Sequence, residues 1–257
     1  MPGHGRSGLH PGDAGLPVTA FFTTRAEGVS LAPYESLNVA DHVGDDAHAV
    51  QRNRRIVSER AGVPVAFLNA AHGIAVEHVT AQTQTLPLAD VLVATDAGVA
   101  LGAIAADCAP VLIHDGASGA VAAVHCGREG LYRGVIDAAI AAIFDLRGGW
   151  SDGALLTASI GPSICGRCYE VPLDMRERVA SRHPAARAST RQGTAALDIP
   201  RAIESRLAEF GFGEIVRSAA CTYEDELYFS HRREGVTGRQ AGVIVCEGPT
   251  GSARGAR

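Results

Sequence analysis

Asp107–Gly130 reads DCAPVLIHDGASGAVAAVHCGREG. CAPVLIH and AVAAVH are short apolar runs on either side of a glycine-bearing loop, DGASG, and this pattern predicts a β-hairpin. Pairing about Ala117 would set Cys108 opposite His125 or Cys126, and cross-strand partners hold their Cβ atoms ~4.5–5.5 Å apart. A thiolate and an imidazole at that spacing can share a metal ion or exchange a proton. Both residues fall at strand ends, where a side chain is fixed and still accessible.

Short strands and capped helices alternate on either side of this hairpin. VTAFFTT (Val18–Thr24) reads as a strand, and DDAHAVQRNRRIVSERAG as a helix capped at Asp45 or Asp46 and closed by Gly62. VAFLNA and IAVEHVT read as a strand pair with His72 on the turn between them; DVLVATD and VALGAIAA are further strands. After the hairpin, EGLYRGVIDAAIAAIFDLRGG has the recurrence of one helix with a buried face. ALLTASIG reads as a strand, Leu173–Ser181 as a helix, Ile199–Phe210 as a helix capped by Asp198, and the neighbourhoods of Ile215–Ala220 and Ala241–Cys246 as strands. Strands outnumber helices, and hairpins are mixed with crossovers. The expected class is therefore α+β, with mixed β-sheets packed together and flanked by helices. Residues 16–247 are expected to form a single domain. Residues 1–15 and 249–257, rich in glycine, proline and small polar residues, are expected to be loose tails.

The bulk properties narrow the function. A chain of 257 residues can bury a full core. Its formal net charge of -5 gives no broad attraction to nucleic acid or to an anionic membrane. The apolar runs are too short to span a bilayer and the first residues lack the apolar core of a signal peptide, so the expected location is the cytoplasm. Six cysteines are too few to staple a chain of this length. CGRC at Cys165–Cys168 has the spacing of a redox pair or half of a zinc knuckle, but without a second such pair free thiols are the favoured reading. Nucleotide-binding glycine fingerprints and the HExxH motif are absent.

His72, Cys108 and His125 together would supply three ligands and one open position, the pattern of a catalytic zinc. A cysteine nucleophile at Cys108 with His125 as its base is the alternative chemistry. A closed, non-catalytic zinc-binding module is a third; it would need a fourth ligand, for which Cys126 is the nearest candidate. Gly127, Arg128 and Gly130 in HCGREG could hold a phosphate or carboxylate through backbone amides and the guanidinium. Arg25 could grip an anion or simply pair with Glu27.

Seven segments in order, FFTTRAEGVSLAPYESLNVADHVGDD, AAHG, ADCAPVLI, AAVHCGREG, IGPSI with CYEV, CTYEDELYFSHRR and TGRQAG, resemble the YfiH/LACC1 family. Its members were formerly described as laccase-domain or multicopper polyphenol oxidoreductase proteins and are now usually called purine nucleoside phosphorylases. The resemblance covers about Val18–Cys246 and implies a CNF1/YfiH-like fold. It implies Zn2+ held by His72, Cys108 and His125, with Cys108 and His125 catalytic. It also implies phosphorolysis of adenosine, inosine, guanosine and methylthioadenosine, and deamination of adenosine to inosine. The implied partners are a purine nucleoside and phosphate, on a monomer or weak homo-oligomer; the family has also been linked to a peptidoglycan precursor peptide, a substrate for the hydrolase alternative. Departures from the family pattern cluster near the site: Ala70 replaces a glutamine, Cys126 an alanine, Arg128 a tryptophan, Glu129 an arginine and His231 a tyrosine. Copper oxidase chemistry fits poorly, because the only methionines are Met1 and Met175 and no HxH pair occurs among the ten histidines.

Overall fold

The computed structural model describes residues 12–83, 85, 88–149 and 155–248. In chain order the first half holds β1 (Ala20–Phe22), α1 (Ala47–Ala61), β2 (Val65–Phe67), β3 (Val76–His78), β4 (Val91–Ala94), β5 (Val99–Ala105), β6 (Ala109–Asp115) and β7 (Val121–Cys126). The second half holds α2 (Arg128–Arg133), α3 (Val135–Arg147), β8 (Leu156–Ile160), α4 (Leu173–Arg182), β9 (Arg187–Ser189), β10 (Ala195–Leu197), α5 (Ile199–Glu209), β11 (Glu214–Arg217), α6 (His231–Glu234) and β12 (Gln240–Cys246).

Two mixed sheets carry the fold, a six-stranded one in the order β11-β8-β6-β7-β4-β3 and a four-stranded one in the order β1-β12-β5-β2; β9 and β10 form a separate ribbon. Strand alternation explains how they stack. Leu92, Leu112, Val121 and Ala123 leave one face of the larger sheet and join a core with Leu101, Val243 and Phe67 of the smaller one. Val91, Val111, Ile113, Val124 and Cys126 leave the other face and pack under Ile136, Ile140, Ile143 and Phe144 of α3 and Ile203 and Leu207 of α5. The class is α+β, with packed mixed sheets flanked by helices. No helix among the described residues is long and apolar enough to cross a membrane.

Local signals set several boundaries. Asp46 accepts from the Ala49 amide at 2.8 Å, and Gly62 closes α1 at φ 77°. The segment expected to be one helix after the hairpin breaks at Gly134, whose φ of 96° favours glycine and separates α2 from α3. The two strands expected to pair around His72 do not pair with each other. β2 joins β5 in the smaller sheet and β3 joins β4 in the larger one, so the His72 segment links the two sheets. The β9–β10 ribbon was not expected; its three-residue strands are too short for a period to show. The chain is also held from earlier than expected, since Ala14 is buried and the Phe22 amide donates to Gly12 O at 2.7 Å. Residues 1–11 and 249–257 of the expected tails, and Ala154 of the expected ALLTASIG strand, lie outside the described residues.

Candidate metal and substrate site

The β6–β7 hairpin forms with Ala109 opposite Cys126 and Pro110 opposite His125. Cys108 therefore sits one residue beyond the paired strands, toward Gly127, rather than opposite His125 or Cys126. The reason is the loop, which centres the pairing half a residue off Ala117. A Cβ on Gly127 would come within 2.8 Å of Cys108 Sγ and 3.1 Å of His72 Cδ2. The absence of a side chain there lets the cysteine, the His72 turn and the end of β7 converge.

One ligand atom from each of His72, Cys108 and His125 lies within 4.8 Å of the others. Cys108 Sγ is 3.9 Å from His72 Nε2, and the two imidazoles meet edge to face with centroids 4.8 Å apart. Cys126 points the other way. Strand alternation sends it into the core under α3, so it is not part of this cluster. Met175 also packs on that side, away from the cluster.

Asp90, at the start of β4 and fully buried, organises the group. It accepts from the His72 amide at 2.9 Å and the Gly73 amide at 2.7 Å, which holds the His72 turn at a positive φ of 58°. It also meets His125 Nδ1 at 2.9 Å. An ionised carboxylate at Nδ1 keeps the proton there and leaves Nε2 for a metal or for the cysteine. Burial alone would raise the Asp90 pKa, but hydrogen bonds from His125 and the Gly73 amide outweigh it and hold the group below its ordinary value.

Cys108 and His125 polarise each other. Burial would push the thiol up, yet the charge and hydrogen bond of His125, helped by His72, bring it down to about 6. Burial would likewise push His125 down, and Cys108 with Asp90 raises it to about 9. Both shifts describe a thiolate–imidazolium pair in the absence of metal.

The cluster forms part of the wall of a cavity of about 480 Å³, within the range of small-molecule pockets. Ile104, Ile164 and Ile199 provide an apolar side, with the Tyr169 ring beside them. Arg128, Arg232 and Arg239 line the same space. The guanidinium of Arg232 donates to Glu170 O and that of Arg239 to Thr237 O and Gly238 O, so carbonyls hold them in place without neutralising them. Asp107, at φ 86°, accepts from the Thr222 and Ser230 hydroxyls, each at 2.7 Å, and from the Arg232 amide at 2.6 Å. That hub fixes the residue before Cys108 to the segment that delivers Arg232.

Two of the expected anion-binding residues lie elsewhere. Arg25 pairs with Glu234 at 2.7 Å rather than with Glu27, donates to Glu35 O and lies over the Phe229 ring, outside the cavity wall. Gly130 is buried where α2 packs on the His72 turn, with space for a Cβ limited by Gly73 O at 3.3 Å. Asp90 was not singled out in the sequence, where it is only an acid opening an apolar strand. Arg232 and Arg239 stand inside the SHRR and TGRQAG segments, but no local spacing shows that they meet Cys108.

Residues 19–247 match a family described as multi-copper polyphenol oxidoreductase laccase. A Streptomyces coelicolor protein named purine nucleoside phosphorylase is 43% identical over 228 residues, 87% of this chain and 93% of that protein. A Corynebacterium glutamicum protein of the same name is 39% identical over 234 residues, 89% of this chain and 94% of that one. Among solved structures, a Neisseria meningitidis protein of the DUF152 family superposes with a TM-score of 0.82 at 36% identity, covering 92% of this chain and 97% of its own. YlmD from Geobacillus stearothermophilus superposes with a TM-score of 0.78 at 29% identity, covering 90% and 94%.

Proposed function

Because the chain belongs to the family described as multi-copper polyphenol oxidoreductase laccase, several of whose relatives carry the name purine nucleoside phosphorylase, we propose that it is a zinc-dependent purine nucleoside phosphorylase. Its proposed substrates are adenosine, inosine, guanosine and methylthioadenosine, with adenosine deamination as a second activity. One observation carries this proposal: the His72–Cys108–His125 cluster shares a cavity with an apolar wall and with the guanidinium groups of Arg232 and Arg239, which carbonyls hold in place, and of Arg128, which Glu129 meets at 3.5 Å.

The donor set fits zinc. One thiolate and two imidazoles leave a position open toward the cavity, and Asp90 supports His125 from behind. With Cys126 and Met175 turned to the opposite face, neither closes the site nor provides a thioether for copper. Zinc, when bound, would supply Lewis acidity at the cavity wall. The rest of the work falls to the chain. Arg232, Arg239 and Arg128 would hold phosphate near the sugar, turning a two-substrate reaction into an oriented encounter. The same fixed charges would stabilise negative charge as the glycosidic bond lengthens. Ile104, Ile164, Ile199 and Tyr169 would exclude water around the base. Gly127 would act by letting the ligands converge, whereas Arg25 and Gly130 have no place in this scheme.

The test is to supply adenosine with and without phosphate to zinc-loaded protein and to identify products. Phosphate-dependent adenine and ribose 1-phosphate are expected. Inosine formed independently of phosphate would support the deaminase activity, and absence of both products would overturn the proposed function.

A cysteine hydrolase is the second possibility, favoured by the order Cys108–His125–Asp90, which is that of nucleophile, base and orienting acid. Its proposed substrate would be a peptidoglycan precursor peptide. In metal-free protein, the rate at which iodoacetamide labels Cys108 is expected to stay high down to pH about 6, whereas an ordinary thiol slows well above that. The sign follows from both partners. The lowered Cys108 pKa contributes stability that is lost as pH falls through about 6, and the raised His125 pKa contributes stability that is lost as pH rises through about 9. Zinc should block the labelling. Labelling and turnover that ignore both zinc and chelator would favour the hydrolase.

A further inference from the structure

Cys165, Cys168, Cys221 and Glu224 form a second group whose ligand atoms all lie within 4.8 Å of one another. The four residues come from two turns of the same construction. In the first, the Cys168 amide donates to Cys165 O at 3.0 Å; in the second, the Glu224 amide donates to Cys221 O at 3.0 Å. Each turn presents its first and fourth side chains to the same point. A parallel bridge between Ser163 and Cys221, with the Thr222 amide donating to Ser163 O at 3.1 Å, holds the turns side by side. CGRC thus has a counterpart after all, in CTYE, where glutamate takes the place of a cysteine.

We propose that these residues form a second metal site, a closed structural zinc held by three thiolates and one carboxylate. Two facing turns with a ligand at each end are the architecture of a zinc knuckle, and four protein donors complete a tetrahedron. Soft sulfur donors select zinc over magnesium or calcium. A disulfide would use two of the three sulfurs and leave the third thiol and the carboxylate converging on nothing. Binding displaces the protons of the three thiols to solvent. The assembled site carries excess negative charge, which Arg191, 2.5 Å from Glu224 Oε1, partly offsets. Cys168 Sγ already approaches that same carboxylate oxygen at 3.3 Å.

Such a site would brace the first one without touching it. The CGRC turn runs directly into Tyr169, and the chain beyond Glu224 delivers Arg232, which donates to Glu170 O at 3.0 Å and lies over the Tyr169 ring. A metal joining the turns would keep these two cavity walls in register.

The experiment is elemental analysis of the full chain purified with zinc and without chelator, on wild type, Cys108→Ala and the double variant Cys165→Ser/Cys221→Ser. Two zinc ions per wild-type chain are expected and one in each variant. Cobalt-loaded Cys108→Ala should keep intense thiolate-to-metal charge-transfer absorption, and stripping its metal should lower the thermal midpoint. One zinc retained in Cys108→Ala and lost in the double variant would support the second site even if the first binds none. If the double variant does not fold, the single variant Cys168→Ser and stepwise zinc release from wild type give the same count. A wild-type chain with one zinc, lost completely in Cys108→Ala, would overturn the proposal, as would a disulfide between any two of these cysteines in freshly purified protein.

Discussion

Cys108→Ala protein is expected to lose the metal held with His72 and His125 and to form product from adenosine and phosphate at least ~100-fold more slowly. The magnitude follows from the neighbouring case, since removing a group that merely supports a ligand costs about 10–100-fold. Cys108 is the only anionic donor in that cluster. Without it, two neutral imidazoles must hold a divalent ion beside Arg128, Arg232 and Arg239, which repel it. The fold should survive, because Cys108 lies beyond the paired part of the hairpin and is partly exposed. Metal content, circular dichroism and product analysis on one preparation check all three statements. A variant that keeps both the metal and the activity would remove Cys108 from the site.

Asp90 should matter almost as much, although it never reaches the cavity. Asp90→Asn is expected to weaken metal binding by about 10–100-fold, because an amide cannot hold His125 in one tautomer as a carboxylate does. Asp90→Ala should add a folding defect of about 3 kcal/mol, the scale for removing one partner of a buried charged pair. Its carboxylate also accepts the amides of His72 and Gly73, so the same change releases the turn that presents the first histidine. The lowered pKa of Asp90 gives the acid dependence a sign. Its contribution to stability is present above the ordinary carboxylate pKa and is lost as pH falls through the lower folded value. Metal titration and denaturant melts of the two variants separate the effects. Equal metal affinity in wild type and Asp90→Asn would make Asp90 a purely structural residue.

The residues that proved legible are those whose neighbours in sequence are also neighbours in space. Cys108 and His125 lie on one hairpin, and the apolar period of its strands placed them within one or two residues of their true register. His72 was legible as a residue on a glycine turn. Its partner was not, because Asp90 is 18 residues away in sequence and an acid before a strand has many possible uses. Arg25 shows the converse. Its local sequence offered Glu27 or a bound anion, whereas packing supplied Glu234 from 209 residues away.

The sequence by itself determined most of the longer strands and helices, a cap for α1 at Asp45 or Asp46 and for α5 at Asp198, the break in class from a regular parallel sheet, and the three side chains that meet in the His72–Cys108–His125 cluster. These features are written in short-range periods and in turn chemistry, which act within a few residues. Only the tertiary structure decided that β2 and β3 separate into different sheets, that Cys126 turns away from His125, and that CGRC meets CTYE. Such choices depend on which buried faces pack together, a sum over many weak contacts between distant segments that no single stretch of the chain contains.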